Sequence, residues 1–157
     1  MENSIILTII ENPIWDGELK RILESHPGAL EIPGPHDKDI SLEMPDVFWY
    51  EANEVSRAND IVGIGRIQKG DDNEYEISIA LVASKIGSGH GRKVLTLLEK
   101  KAKDKGAKSV IVAIKPSNPN AEKVVKWFED RGYNIDVINW EEVLKSKRRD
   151  IQLSKYI

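Results

Sequence analysis

A glycine-rich stretch at residues 87–92, Gly-Ser-Gly-His-Gly-Arg, has the features of an anion-binding turn. The alternating residues 77–82 before it predict a strand, and the amphipathic residues 94–105 after it predict a helix. This order brings backbone N–H groups and the positive end of a helix dipole to one point, which favours phosphates above all. Glycines at alternate positions let a bulky ligand approach the bare backbone. We therefore expect a pyrophosphate-binding loop here.

The spacing of these glycines excludes two other phosphate loops. The stretch is Gly-x-Gly-x-Gly, so it lacks the Gly-x-Gly-x-x-Gly spacing of a dinucleotide fold. It also lacks the Gly-Lys-Ser/Thr of an ATP-type P-loop. Taken alone, the glycines would equally serve tight turns without any ligand, so the surrounding elements have to support the hypothesis.

The composition narrows the class of protein. A chain of 157 residues predicts one domain, residues 1–157. Because there is no cysteine and only three scattered histidines, we expect no disulfide, no cysteine nucleophile and no metal site, and a cytoplasmic location. A net charge of −3 argues against nucleic acid as a partner. The apolar start of the chain is too short for a membrane span, so no membrane partner is expected.

The remaining elements follow from periodicity and turn signals. A well-buried first strand and a helix that begins at Asn12-Pro13 come before a loop with several prolines, residues 26–46. Residues 56–60 predict a hairpin turn, and the charged residues 141–149 predict a connection between the last two strands. The predicted strands are residues 4–10, 47–52, 61–67, 75–83, 109–114, 133–139 and 150–156; the predicted helices are 12–25, 91–105 and one that is capped by Asn120 or Ser117 and ends at Gly132. The fold class is thus α/β, a single domain with a mixed, splayed sheet and helices on both faces.

The order and spacing of these motifs resemble a known family. The strand at 77–83, the turn Gly89-His90-Gly91 with its helix, the strand at 110–114 and the segment from Trp127 to Tyr133 look like the GNAT superfamily of N-acetyltransferases. The resemblance extends from about residue 47 to residue 133. It implies a GNAT-like acyl-CoA N-acyltransferase fold whose fourth and fifth strands separate.

The resemblance implies acetyl-CoA as co-substrate. The N–H groups of residues 87–92 would bind its pyrophosphate, and the pantetheine arm would pair with the strand edge that opens between the fourth and fifth strands. Either Leu81 and Ala83 or Val82, depending on register, would supply those main-chain groups. The residues predicted to bind the cofactor are Leu81, Val82, Ala83, Gly87, Ser88, Gly89, His90, Gly91, Arg92, Asn118 and Phe128.

The implied reaction is direct transfer of an acetyl group to a primary amine in a ternary complex. Such an amine has a pKa near ~10, so a carboxylate has to take its proton at neutral pH. Glu76 is the favoured base and Glu74 the alternative, since both lie on the strand that carries the cofactor. The backbone N–H of Val82 would polarise the thioester carbonyl as an oxyanion donor does. These assignments make Glu76 and Val82 the predicted catalytic residues.

Two residues depart from the family pattern. Ile86 stands where the turn commonly starts with Arg or Gln, and Phe128 stands where a Tyr commonly protonates the leaving thiolate. A thiol of pKa about 8.5 that leaves at pH 7 without an acid is uphill by only ~2 kcal/mol. We therefore expect slower turnover, and a catalytically weak or silent CoA-binding module stays the alternative function.

The sequence leaves the acceptor open. In the family, specificity lies in the first helices and loops, here residues 14–46, which carry no recognisable signature. Trp49 and Tyr50 are candidates to line the acceptor cleft, although aromatic residues on strands more often belong to the core. The expected partner is a small-molecule or peptide amine, and a homodimer is left open.

Overall fold

The structure of the chain, a computed structural model, describes residues 4–11, 44–55, 57–81 and 89–157, and for residues 57–60 it describes the backbone alone. Seven strands and three helices lie in these segments. They are β1 (Ile5–Ile9), β2 (Val47–Glu54), β3 (Arg57–Lys69), β4 (Glu74–Leu81), α1 (His90–Asp104), β5 (Ser109–Ile114), α2 (Ala121–Glu129), β6 (Asn134–Ile135), α3 (Trp140–Lys145) and β7 (Ile151–Tyr156).

The strands form one sheet in the order β1-β2-β3-β4-β5-β7-β6. All neighbours are antiparallel except β4 and β5, which are parallel. A parallel pair needs a long crossover, and α1 supplies it. The mixed α/β sheet predicted from the sequence is thereby confirmed; the helix predicted at residues 12–25 and most of the 26–46 loop lie outside the described residues.

Four local predictions were wrong. Residues 57–60 belong to β3 and not to a turn, because Arg57 already pairs with Glu54 of β2; the register then shifts before Ile61 pairs with Asn53. The first strand is an edge strand, so Ile6 and Ile9 are nearly half exposed and only Ile5 is buried. The strand expected at 133–139 shortens to β6. The charged connection that follows contains α3, which is anchored by its buried residues Trp140, Val143 and Leu144.

Helix α1 packs directly on the backbone of β3. Its buried face consists of Val94, Leu95, Leu98 and Ala102, as the helical spacing predicts. A Cβ atom at Gly65 would lie 2.8 Å from both terminal carbons of Leu98, so only glycine allows this approach. Gly63 is required for the close approach of β4 in the same way, since a Cβ there would lie 2.4 Å from the Ala80 carbonyl oxygen. Two glycines thus set how closely α1 and β4 approach β3.

Replacing Gly65 by valine should therefore destabilise the fold. The added side chain overlaps Leu98, and overpacking of this kind costs about 1–3 kcal/mol of unfolding free energy. Equilibrium urea unfolding measures the loss. In a Leu98→Ala background the valine has room, so its additional cost should fall. The same cost in both backgrounds would contradict direct packing of α1 on Gly65.

Candidate functional site

Strands β4 and β5 separate after three residue pairs. They are paired from Glu74 opposite Ser109 to Glu76 opposite Ile111. Strand β4 nevertheless continues to Leu81 along β3, and β5 continues to Ile114 along β7. Within the described parts of both strands, the sheet is therefore open between their carboxyl halves. This is the separation that the sequence predicted, and it exposes main-chain edges to an amide-bearing ligand.

Helix α1 begins at the open end of this cleft. Gly89 occupies its N-cap with a φ of 85°, in the left-handed region that favours glycine. It has no side chain with which to satisfy the N–H groups of the first turn, and the first turn carries no acidic residue. A Cβ atom on Gly89 would meet no atom of the described residues within 4 Å. These features fit an anion.

Three elements meet beside the helix start. A Cβ atom on Gly91 would lie 3.3 Å from Cδ1 of Leu81 at the end of β4 and 3.5 Å from Cζ2 of Trp127 in α2. Arg131 stacks on the Trp127 ring at 3.9 Å and donates to the Trp127 carbonyl, which fixes the indole. Leu81 and Gly91 were predicted to belong to one site, and they are neighbours. Trp127 was not assigned to the site, although its position beside Phe128 was a usable signal.

A buried carboxylate holds the side chain of His90. Oε1 of Glu54, at the end of β2, lies 2.8 Å from His90 Nε2, and the Glu54 side chain is only 5% exposed. Because a carboxylate accepts hydrogen bonds, Nε2 of His90 carries the proton in this contact. The pair connects the end of β2 to the first residue of α1. Sequence reasoning missed Glu54, since nothing local marks a contact with a residue 36 positions away.

The two candidate bases differ in their surroundings. Glu76 is the last residue of β4 that pairs with β5, so it stands where the two strands part, and its side chain is partly exposed. Glu74 accepts a hydrogen bond from Ser109 Oγ at 3.3 Å across the paired part of the strands. This contact occupies the Glu74 carboxylate at the closed end of the cleft.

The aromatic residues near the end of α2 are packed. Phe128 is 6% exposed and meets the rings of Trp127 and Tyr133 edge-on. The Tyr133 hydroxyl donates to Glu99 Oε2 at 2.8 Å, and Lys155 Nζ lies 3.1 Å from the same oxygen. Burial, and then the hydrogen bond to the Glu99 carboxylate, raise the pKa of Tyr133 well above its ordinary value. Tyr133 is thereby held as a neutral structural donor.

The other predicted site residues are distributed as follows. Asn118 Oδ1 accepts the backbone N–H of Asn120, so it shapes the turn before α2, and Asn120 occupies the N-cap position without a side-chain cap bond. Arg92 is exposed in the first turn of α1. Five positions that the sequence singled out lie outside the described residues: Val82, Ala83, Ile86, Gly87 and Ser88. The roles assigned to all these residues stay predictions.

Among the described residues, no group of three or more His, Cys, Asp or Glu side chains is arranged to hold a metal ion. None of the helices in the described segments has the length and apolar character needed to cross a membrane.

Comparison by sequence gives a family match. The model of the Acetyltransferase (GNAT) family matches residues 18–133, which is well over half of the chain. No curated protein matches the sequence.

Comparison by structure gives the same fold. An acetyltransferase of Bacillus subtilis in complex with CoA superposes with a TM-score of 0.71 at 17% identity, covering 98% of this chain and 99% of that one. A GNAT family acetyltransferase of Elizabethkingia anophelis with acetyl-CoA bound gives 0.63 at 15% identity, with 99% and 100% covered. N-acetylglutamate synthase of Neisseria gonorrhoeae, complexed with coenzyme A and L-arginine, gives 0.63 at 14% identity, with 99% of this chain but 34% of that one covered. At these identities the likeness shows the fold.

The Tyr133 contact predicts how stability depends on pH. A raised pKa in the folded state means that the tyrosine ionises first in the unfolded state, so its contribution is complete below about pH 10 and is lost as the pH rises above that value. Tyr133→Phe should remove this loss, about 1.4 kcal/mol for each pH unit above about 10. Urea unfolding between about pH 8 and pH 11 measures the slope.

Tyr50 provides the internal comparison. Burial, and to a lesser extent Tyr75, also raise the pKa of Tyr50. The Tyr133→Phe variant should therefore retain part of the alkaline loss, and Tyr50→Phe should remove the other part. If Tyr133→Phe keeps the wild-type slope, the hydroxyl is not held by Glu99 as described.

Proposed function

The chain belongs to the acetyltransferase (GNAT) family, and on that premise we propose that it is an acetyl-CoA-dependent N-acetyltransferase. The acetyl group passes directly from the thioester to a primary amine in a ternary complex. The observation that carries this proposal is the opening between β4 and β5, whose pairing ends at Glu76. The start of α1, which has no side-chain cap, lies at the open end of the same cleft. One feature suits a chain of amides and the other suits a pyrophosphate.

The proposed cofactor is supported in two ways. Structures of the same fold from Bacillus subtilis and Elizabethkingia anophelis carry CoA and acetyl-CoA. In this chain, Leu81 at the end of β4 and Trp127 in α2 both lie beside Gly91 at the start of α1, so one ligand can reach all three elements. The backbone after Leu81, including Val82, is the proposed source of the N–H that polarises the thioester carbonyl.

Proton transfer from the amine falls to Glu76 in this proposal. The amine nitrogen attacks the carbonyl carbon, the C–S bond breaks, and the proton passes to the carboxylate directly or through one water. Glu76 is favoured over Glu74 because Glu74 already accepts the Ser109 hydroxyl at the closed end of the cleft. Glu76 instead lies where the strands part.

One observation supports the alternative of a weak or silent CoA-binding module. Phe128 has no proton to donate, and the nearby Tyr133 hydroxyl is bound to Glu99. Without a proton donor, departure of a thiolate of ordinary pKa costs only ~2 kcal/mol, so the N-acetyltransferase stays the main proposal. The two functions are distinguished by measuring whether the release of CoA from acetyl-CoA depends on an added amine, as it does for a transferase. Binding without such release across polyamines, antibiotics, amino acids and peptides would favour the module.

Gly89→Ala should weaken acetyl-CoA binding by about tenfold or more, because a methyl group then occupies the approach to the first turn of α1. Gly106→Ala is the matched control. Gly106 has a φ of 98° and equally open space, but it follows the other end of the helix. Both variants carry a similar left-handed strain of about 1–2 kcal/mol. A thermal shift titration with acetyl-CoA measures affinity, and equal affinities for the two variants would place the pyrophosphate elsewhere.

Glu76→Gln should lower the rate of CoA release most at neutral pH. Above the amine's pKa of about 10 most of the acceptor has already lost its proton, so the variant should approach the wild-type rate there. Glu74→Gln, on the same strand, should leave the pH profile unchanged. A Glu76→Gln defect of constant size across the pH range would remove Glu76 as the base.

A further inference from the structure

The two faces of strands β2–β4 have different chemistry. In an antiparallel sheet, residues that stand opposite one another point to the same face, and neighbours along a strand alternate. The face toward α1 is almost wholly apolar: Phe48, Tyr50, Gly65, Ile67, Ile77 and Ile79. The opposite face mixes charged, polar and apolar residues in register, and we call it the acceptor face: Trp49, Glu51, Ile64, Arg66, Gln68, Glu76, Ser78 and Ala80.

Trp49 is the most informative residue of the acceptor face. It is 3% exposed but is not part of the continuous hydrophobic core that Tyr50 joins on the other face. Its indole N–H has no hydrogen-bond partner in the described part of the chain. Buried donors in native proteins are nearly always satisfied, so this N–H is available to an acceptor atom that a ligand brings.

A second donor stands next to Trp49. Arg66 is directly opposite Trp49 in the β2–β3 register, and its guanidinium carbon lies 5.5 Å from the centre of the indole ring. Ser78 on β4 completes the row across the three strands. Arg66 has other interactions as well, but a guanidinium carries five N–H donors in a planar fork that suits a carboxylate. This row therefore combines hydrogen-bond donors with positive charge.

Glu76, the proposed base, belongs to the next row of the same face. It stands opposite Gln68, and Gln68 stands opposite Val47. Two residues along a strand span about 7 Å, so the donor row and the Glu76 row lie roughly that far apart at the backbone. The face thus offers a place for an amine and, beside it, a place for an oxygen-bearing anion.

From this arrangement we propose that the acceptor is of the amino-acid type: a primary amine whose skeleton also carries a carboxylate, which Trp49 Nε1 and the Arg66 guanidinium bind. The inference rests on the proposed transferase function and names its substrate class. A diamine or polyamine fits less well, because it brings a second positive charge to Arg66 and no acceptor atom to the Trp49 N–H.

Matched pairs of acceptors test the proposal with the whole chain. Lysine is compared with cadaverine, histidine with histamine and phenylalanine with phenethylamine, and kcat/KM is read from CoA release. Each pair differs only in the carboxylate. We expect the carboxylated member of at least one pair to be better by about tenfold or more, as one charge-assisted hydrogen bond provides. Equal or better use of the decarboxylated member in every pair overturns the proposal.

Variants show whether Trp49 and Arg66 are responsible. Trp49→Phe keeps a smaller aromatic ring and removes the N–H, so KM for the carboxylated acceptor should rise about tenfold while that for its decarboxylated partner and for acetyl-CoA stays within about twofold. Arg66→Gln should act in the same direction and serves as the second variant. Tyr75→Phe is the control, since Tyr75 is buried and alternates with Glu76 along β4, which places it on the α1 face. An equal loss for both members of a pair means a general structural effect and overturns the assignment.

Failure of the underlying function gives a different result. If acetyl-CoA still raises the melting temperature but no amine of either class releases CoA, the proposed transferase activity is wrong, and the acceptor class falls with it. If decarboxylated amines are acetylated as well as or better than their partners in every pair, the activity stands and only the amino-acid class is overturned.

Discussion

The partial pairing of β4 with β5 is the constraint on which the rest of the site depends. Three parallel residue pairs, Glu74–Glu76 with Ser109–Ile111, hold the two halves of the sheet together. Beyond them each strand is held from its other side, β4 by β3 and β5 by β7. The hydrogen-bonding groups of an unpaired strand edge are costly inside a protein unless something satisfies them. An opening of this kind is therefore maintained by the outer strands, and a ligand rich in amides can fill it.

The position of α1 follows from that opening. The helix has to cross from the end of β4 to the start of β5, and Gly65 lets Leu98 reach the sheet backbone. The helix start is then fixed from two sides. His90 is held by the buried carboxylate of Glu54, and Gly91 lies against Leu81 and Trp127. The positive end of the helix dipole thus lies at the open end of the cleft.

The sequence revealed those parts of this arrangement that depend on local pattern. Alternating apolar residues identified β4 and β5, and helical spacing identified the buried face of α1. Residues 57–60 were misassigned to a turn because the pairing of Arg57 with Glu54 starts β3 earlier than the local composition indicates. The register of the β4–β5 pairing and the contacts Glu54–His90 and Glu99–Tyr133 join residues more than 30 positions apart, and no spacing rule indicates them.

The same long-range contacts explain where the chemistry has to come from. With Phe128 in the core and the Tyr133 hydroxyl bound to Glu99, the end of α2 has a structural role, and the proposed reaction lacks an acid there. Expulsion of the thiolate then costs up to ~2 kcal/mol that a proton donor would otherwise save. Among the described residues, this cost is offset on the amine side, by how the acceptor is oriented and deprotonated. That places the weight of the proposed catalysis on the acceptor face, where Glu76, Trp49 and Arg66 lie in two adjacent rows.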